Sequence, residues 1–198
     1  MADPAPERAL AAIASELSGR KRSFALVGGL AVSVRSEVRF TRDVDIAVTV
    51  ADDVDAEQLI YDLGQTGYRA VASIEHETAH RLSTVRLLGI DGIRVDLLFA
   101  SSGIEPEIVA RATPIEIATA GSVPVAAAEE LLAMKVLSMT DVRLQDRLDA
   151  VRLLQLVSNL DLDRVRTNLR SISERGFDRG QDLKSKLELL LATVDMRS

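Results

Sequence analysis

The feature that most constrains the fold of this 198-residue sequence is an apolar run, 24–27, that ends in two glycines. The run predicts a buried strand, and Gly28-Gly29 predicts a tight turn into a helix. Further along, Asp43 and Asp45 flank the start of a β-branched run, 44–50, which predicts a second strand. Because side chains two residues apart on a strand point to the same face, Asp43 and Asp45 present two carboxylates together.

The glycines and the carboxylates have complementary chemistry. Two neighbouring carboxylates repel each other unless a cation lies between them, and their hard oxygens favour Mg²⁺ or Mn²⁺. The two glycines allow the backbone to approach a ligand closely, and the helix that follows them directs its N–H groups at an anion. Together these residues suit a nucleoside triphosphate that carries a divalent metal ion.

A third carboxylate, Asp96, lies inside the apolar run 93–99, which also predicts a strand. A carboxylate in such a run is costly to bury unless it is paired or bound to a metal. Arg94 and Arg81 are the candidate partners for an ion pair. Alternatively, three carboxylates could hold two metal ions for a phosphoryl displacement, and Asp96 could take the proton of the attacking hydroxyl.

These motifs resemble those of the nucleotidyltransferase superfamily with the polymerase-β-like fold, and most closely its AbiEii/MenT branch of toxins. Members of that branch have a Gly-Gly turn followed by Arg-x-Thr-x-Asp-h-Asp-h, where h is apolar. This chain has Arg39 and Thr41 at the first two positions, ahead of the two aspartates. The branch also has a helical Lys followed by Arg-x-Lys-Asp-x-x-Asp. The matching residues here, with Gln145 in place of the second Lys, are Lys135, Arg143, Asp146 and Asp149.

The resemblance covers roughly residues 24–157 and implies a role for each matching residue. Gly28 and Gly29 would hold the β- and γ-phosphates, Asp43 and Asp45 would ligate Mg²⁺, and Asp96 would be the third ligand or the base. Asp146 or Asp149 would orient a basic neighbour or lie near the acceptor. The remaining residues would form the nucleotide site, with Lys135 on the triphosphate: Arg39, Thr41, Lys135 and Arg143.

The resemblance also implies an activity and its partners. The expected reaction is metal-dependent transfer of NMP from an NTP to an acceptor hydroxyl. The acceptor that the toxin branch implies is an RNA 3′ end, especially that of tRNA. The expected protein partner is a cognate antitoxin. Three alternatives remain open: a protein acceptor, a small-molecule acceptor of the aminoglycoside type, and a non-catalytic module of the same fold that binds a nucleotide or a partner.

The predicted fold class is α+β and has two parts. Residues 1–125 predict a mixed, twisted sheet with flanking helices, which would form the nucleotidyltransferase core. Residues 126–198 predict a helical region packed on that core, with the nucleotide between the two. The helical spacing that supports this second part occurs at 126–139, 143–157, 161–173 and 178–194.

Composition excludes several classes of protein. There is no cysteine, which excludes disulfide frameworks and thiolate metal sites. A net charge of −6 and 3% aromatic residues argue against a dedicated nucleic-acid binder with a base-stacking surface. No stretch is long and apolar enough to span a membrane, and the N-terminus does not resemble a signal peptide, so we expect a cytoplasmic protein.

Two further patterns have an ordinary interpretation beside a functional one. Residues 76–80 read His-Glu-Thr-Ala-His, which matches a zinc-protease motif only if both histidines share a helical face. The flanking residues predict strands, so we expect the pentapeptide at the end of a hairpin. The basic residues of the last helices form either a solvated face or a surface for an RNA acceptor: Arg164, Arg166, Arg170, Arg175, Arg179, Lys184 and Lys186.

Overall fold

The computed structural model describes residues 5–37, 41–76 and 80–195. Within these ranges the chain forms seven strands: β1 (Phe24–Val27), β2 (Val44–Val48), β3 (Arg69–His76), β4 (Arg81–Leu88), β5 (Arg94–Leu98), β6 (Thr113–Ile117) and β7 (Gly121–Val125). It also forms eight helices: α1 (Ala5–Gly19), α2 (Gly28–Arg35), α3 (Asp53–Gly64), α4 (Glu105–Arg111), α5 (Ala128–Ser138), α6 (Leu144–Leu156), α7 (Leu162–Glu174) and α8 (Leu183–Asp195).

All seven strands form one mixed sheet, in the order β3-β4-β5-β2-β1-β7-β6. β1 is antiparallel to β2 and parallel to β7, while β2 is parallel to β5. The central strands are apolar and buried, and α1, α2 and α4 pack on them. The predicted α+β class, with a mixed sheet and a following set of helices, is therefore confirmed.

The register of the sheet aligns four residues in one row across four strands. Val27 of β1 is opposite Asp45 of β2, Asp45 is opposite Asp96 of β5, and Asp96 is opposite Arg86 of β4. Residues paired in this way point to the same face of a sheet. The two strand aspartates that the sequence singled out are thus direct neighbours.

The chain after β7 is helical. α5 packs against α2 on one side and against α6, α7 and α8 on the others. The division into two domains at residue 125 stays a prediction. None of the helices in the described ranges is long and apolar enough to cross a membrane.

Most predicted helices are confirmed to within a few residues, but the last one begins later than expected. The spacing predicts a helix from 178, whereas α8 begins at Leu183. The reason is a loop between α7 and α8 in which Gly176, Arg179 and Gly180 have positive φ angles of 79°, 57° and 68°. Consecutive helical geometry is impossible there, because right-handed helices require negative φ.

Candidate active site

A cleft of about 840 Å³ separates the sheet from the helical part of the chain. Its floor is the row Val27, Asp45, Asp96 and Arg86, together with Gly28. Its opposite wall comes from α5, from the start of α6 and from the loop between α7 and α8. The cleft therefore brings together residues that are far apart in the sequence.

Gly28 is required at this position for two reasons. Its φ of +65° is a backbone conformation that residues with a side chain rarely adopt. A Cβ atom on Gly28 would also lie only 1.9 Å from Oδ2 of Asp45. The turn from β1 into α2 thus passes directly over the Asp45 carboxylate, and the backbone N–H of Gly29 donates a hydrogen bond to that carboxylate.

Asp45 lies in an environment that disfavours its charge. Burial, and after it the negative charges of Asp96 and Asp43, raise its pKa to about 6, against the opposing effects of Lys135 and the Gly29 N–H. Among the described residues, no basic side chain lies within ion-pair distance of Asp45. The fold therefore places the Asp45 carboxylate where no basic side chain of the described residues forms an ion pair with it.

The other two aspartates are paired with arginines. Nε of Arg94 lies 2.9 Å from Oδ1 of Asp43. Asp96, only 8% exposed, accepts two hydrogen bonds from Arg86: from Nε at 2.9 Å to Oδ1 and from Nη2 at 2.7 Å to Oδ2. The prediction that Asp96 pairs with Arg94 or Arg81 is therefore wrong. Arg94 pairs with Asp43, and Arg81 pairs with Asp53.

These contacts decide which carboxylates fit a divalent cation. Within the described ranges, no three His, Cys, Asp or Glu side chains are gathered closely enough to hold a metal ion. Asp45 fits because it lacks a basic partner there, and Asp43, which contacts Arg94 through Oδ1, keeps 34% of its side chain exposed. Asp96 fits poorly, because Arg86 occupies both of its oxygens.

Lys135 of α5 lies across the cleft and holds two carboxylates of α6. Its Nζ is 2.7 Å from Oδ1 of Asp146 and 2.9 Å from Oδ2 of Asp149. All three side chains are almost fully buried. Nε of Arg143 lies 2.8 Å from the other oxygen of Asp146. The four residues of the distal motif therefore form one connected ionic network, of which Lys135, Arg143 and Asp146 line the cleft.

The loop between α7 and α8 adds a basic residue that the sequence motifs do not include in the site. Arg179 lines the cleft, and its Nη2 donates to the carbonyl of Ser101 at 3.2 Å. Desolvation and then the positive charge of Arg143 lower the pKa of Arg179, so the two guanidinium groups lie near each other. Only the fold of this loop, which sequence periodicity misses, brings Arg179 to the cleft.

Two residues of the predicted nucleotide site remain to be placed. Arg39 lies outside the described residues. Thr41 lies just before β2, and its hydroxyl donates to the carbonyl of Asp43 at 3.5 Å. Thr41 thus supports the backbone next to the first aspartate. Thr41 does not line the described cleft.

The two histidines do not form a helical zinc motif. His76 is the last residue of β3, and His80 occupies a turn with a φ of +46° before β4. The residues between them, 77–79, lie outside the described ranges. The His76 ring packs on Phe177, with ring centroids 4.2 Å apart. The predicted hairpin end is confirmed, and β3 reaches the loop between α7 and α8.

Several basic residues of the last helices are engaged in ion pairs or hydrogen bonds. Arg164 pairs with Glu129, Arg175 pairs with Glu107, and Lys186 donates to the Met139 carbonyl at 2.8 Å. These contacts join the last helices to the rest of the chain. Of the seven predicted residues, Arg179 alone lines the described cleft.

A family model and solved structures are similar to this chain. The family model described as "Nucleotidyl transferase AbiEii toxin, Type IV TA system" matches residues 8–195. No curated protein sequence is significantly similar to the chain.

An antigenic nucleotidyltransferase-like protein from Paracoccidioides brasiliensis has a TM-score of 0.55 and 16% identity, over 95% of this chain and 94% of that chain. The solution structure of the antibiotic-resistance factor ANT(2'')-Ia has a TM-score of 0.51 and 15% identity, over 87% of this chain and 94% of that chain. At these identities the likeness shows the fold.

Proposed function

Since this chain belongs to the AbiEii nucleotidyltransferase toxin family, we propose that its cleft transfers NMP from an NTP to the 3′ hydroxyl of an RNA, with tRNA as the expected acceptor. The chain is a nucleotidyltransferase of a family of toxin–antitoxin systems, so NTP is its substrate class. The RNA acceptor, the divalent metal ion and a cognate antitoxin are the parts that we propose.

One observation carries the proposal: Asp45 lies unpaired among the described residues, under the turn at Gly28, at the floor of a cleft. The N-terminus of α2 is at this point, and helix N-termini attract phosphate oxygens. The triphosphate would therefore lie along the turn from β1 into α2. A carboxylate without a counter-charge beside a phosphate site is the expected partner of a cation shared with that phosphate.

Asp43 and Asp45 are the residues that would hold Mg²⁺ or Mn²⁺. A bound cation supplies positive charge that neutralises the α-phosphate and the departing pyrophosphate. The reaction forms a bond between the acceptor oxygen and the α-phosphorus and breaks the bond from that phosphorus to the oxygen bridging to the β-phosphate. The hydroxyl proton passes to a base, for which Asp96 is the nearest carboxylate by register.

The basic side chains of the opposite wall support a phosphate-rich acceptor. Arg143 and Arg179 face the cleft, and Arg179 has no carboxylate within ion-pair distance in the described part of the chain. Phosphate contacts of this kind supply most of the sequence-independent affinity for RNA.

A labelling assay tests the acceptor. The protein is incubated with each α-labelled NTP, Mg²⁺ or Mn²⁺ and total tRNA, and RNA and protein are then separated. Asp45→Asn should abolish labelling. Asp163→Asn, which changes a highly exposed carboxylate on α7, should leave labelling unchanged.

Label on tRNA that is lost in Asp45→Asn would support the proposal and would identify the nucleotide. Label on protein alone would replace the RNA acceptor by a protein hydroxyl. Absence of label on either, with intact NTP binding, would contradict the RNA acceptor and favour a small-molecule acceptor or a non-catalytic module.

A further inference from the structure

Arg86 makes a contact in the cleft that the motifs do not predict. It lies directly opposite Asp96 in the antiparallel pairing of β4 with β5. Its guanidinium group binds both oxygens of the Asp96 carboxylate, at 2.9 and 2.7 Å. Two parallel hydrogen bonds of this kind fix orientation as well as distance. The side chain that the sequence suggests as a third metal ligand is thus held by a neighbouring strand.

The three aspartates therefore differ in what they can still bind. Asp45 has no basic partner among the described residues, and Asp43 remains 34% exposed beside its ion pair with Arg94. A cation bound at Asp96 would have to displace Arg86 and would be repelled by its guanidinium group. The carboxylate oxygens that remain available to a cation thus belong to Asp43 and Asp45.

We propose that Arg86 occupies the place beside Asp96 that a second cation would take, so that the site holds a single divalent ion, on Asp43 and Asp45. The inference rests on the metal site of the proposed function. Arg86 is a positioning residue, because it acts through Asp96: it holds both oxygens of this carboxylate and so keeps them from the bound ion. It also provides a permanent positive charge in the cleft.

The location of the pair distinguishes it from an ordinary surface ion pair. Both side chains line the cleft, and Arg86 remains 40% exposed while Asp96 is largely covered. Hydrogen bonding to Asp96 raises the pKa of Arg86, and the charges of Asp43 and Asp45 contribute in the same direction. The positive charge of Arg86 therefore offsets the negative charges of all three aspartates, Asp43, Asp45 and Asp96.

The same strand offers a matched control. Arg81 of β4 pairs with Asp53 through Nε at 2.7 Å, and its side chain is 38% exposed. Arg81 is as exposed as Arg86 and also binds an aspartate, but Asp53 is 35% exposed against 12% for Asp96, and the pair does not line the cleft. A change that acts only through loss of a surface ion pair should have the same effect at both positions.

The test is the number of Mn²⁺ ions bound per chain, measured by titration with Mn²⁺ alone and electron paramagnetic resonance of the free ion. We expect one ion for the wild type and for Arg81→Met, and two for Arg86→Met, in which Asp96 becomes available. The double variant Arg86→Met/Asp96→Asn should return to one. Arg86→Gln has the same expected result if Arg86→Met does not fold.

Two outcomes would overturn the inference alone: two ions on the wild type, or one ion on folded Arg86→Met. The first outcome is measured on the wild type alone, so the inference can be tested even if the variants do not fold. No bound ion on the wild type would overturn the metal site of the proposed function, and the single-ion inference with it. A merely structural Arg86 would lower thermal stability on substitution without changing the number of ions.

Discussion

At the scale of single residues, the positions of Gly28 and Asp45 depend on each other. The Asp45 carboxylate fills the space that a side chain at position 28 would need. The positive φ of Gly28 in turn places the start of α2 over this carboxylate. The sequence predicts both residues from their motifs, but not this contact, because spacing along a chain does not give the distance between two strands.

Gly28→Ala should destabilise the fold by about 2–5 kcal/mol, the sum of a left-handed backbone penalty and forced overpacking. Urea denaturation of the two proteins measures this difference. Gly121→Ala is the matched control, because Gly121 has a φ of +72° but no atom within 4 Å of an added Cβ. It should lose only about 1–2 kcal/mol. Equal losses at both positions would contradict the close contact between Gly28 and Asp45.

Asp45→Asn should increase thermal stability at pH 8 in the presence of EDTA, while it abolishes nucleotidyl transfer. At that pH, above its raised pKa of about 6, the wild-type carboxylate is ionised in a place that disfavours charge. Removing the charge should gain on the order of 3 kcal/mol. Thermal unfolding followed by circular dichroism measures the change. A lower melting temperature for Asp45→Asn would contradict this description of the site.

At the scale of elements, Lys135 is what joins α5 to α6 electrostatically. It neutralises two carboxylates of α6, Asp146 and Asp149, that are buried with it. The sequence predicts that these residues belong together, through the resemblance to the toxin branch. That Lys135 contacts the triphosphate stays a prediction, and its ion pairs give it a structural role as well.

Lys135→Met should lower the free energy of unfolding by about 3–5 kcal/mol, since it leaves two buried carboxylates without a counter-charge. Urea denaturation provides the measurement. The double variant Lys135→Met/Asp149→Asn should recover part of the loss, because it removes one of the two stranded charges. If the double variant were less stable than the single one, the network would not be held together in this way.

The ion pair between Glu107 of α4 and Arg175 at the end of α7 should make stability depend on pH. Arg175 holds the pKa of Glu107 below its usual value, so the pair stabilises the fold above pH about 4.5 and loses this effect as pH falls through the lowered pKa. Glu107→Gln should cost up to about 1 kcal/mol at pH 7. The cost should be smaller at pH 3 than at pH 7, because the ionised fraction of Glu107 falls with pH. Thermal unfolding at both pH values measures it, and an equal cost at both would contradict the pairing.

The hairpin of β4 and β5 shows how far sequence reasoning extends at this scale. The residues after the histidine pentapeptide and the apolar run 93–99 predict its two strands, and the structure confirms both. Asp91-Gly92 between them is a typical pair of turn residues. The turn centred on residue 91 also implies the pairing of Arg86 with Asp96. Proximity in sequence suggested Arg94 instead, which is wrong because Arg94 pairs with Asp43.

The loop between α7 and α8 shows where such reasoning ends. Its positive φ angles occur at an arginine as well as at two glycines, and no local pattern predicts a left-handed arginine. Packing explains part of the conformation, since Phe177 in this loop contacts His76 and lies against Gly103. Arg179 therefore reaches the cleft through tertiary contacts that helical periodicity does not contain.

At the scale of the whole molecule, the candidate site exists only because the sheet and the later helices face each other. The sheet contributes the aspartates and the turn at Gly28, and the helices contribute Lys135, Arg143 and Arg179. Neither part alone would place carboxylates opposite basic side chains across one cleft. This arrangement is the physical basis for assigning the transfer of a nucleotide to this chain.

The most direct test of that assignment compares one NTP labelled at the α-phosphate with the same NTP labelled at the γ-phosphate, in the presence of tRNA and Mn²⁺. Nucleotidyl transfer predicts that the α-label enters the acceptor and that the γ-label appears in pyrophosphate, both in the wild type and neither in Asp45→Asn. Transfer of the γ-label to an acceptor, or release of labelled inorganic phosphate without incorporation, would contradict nucleotidyl transfer in this cleft.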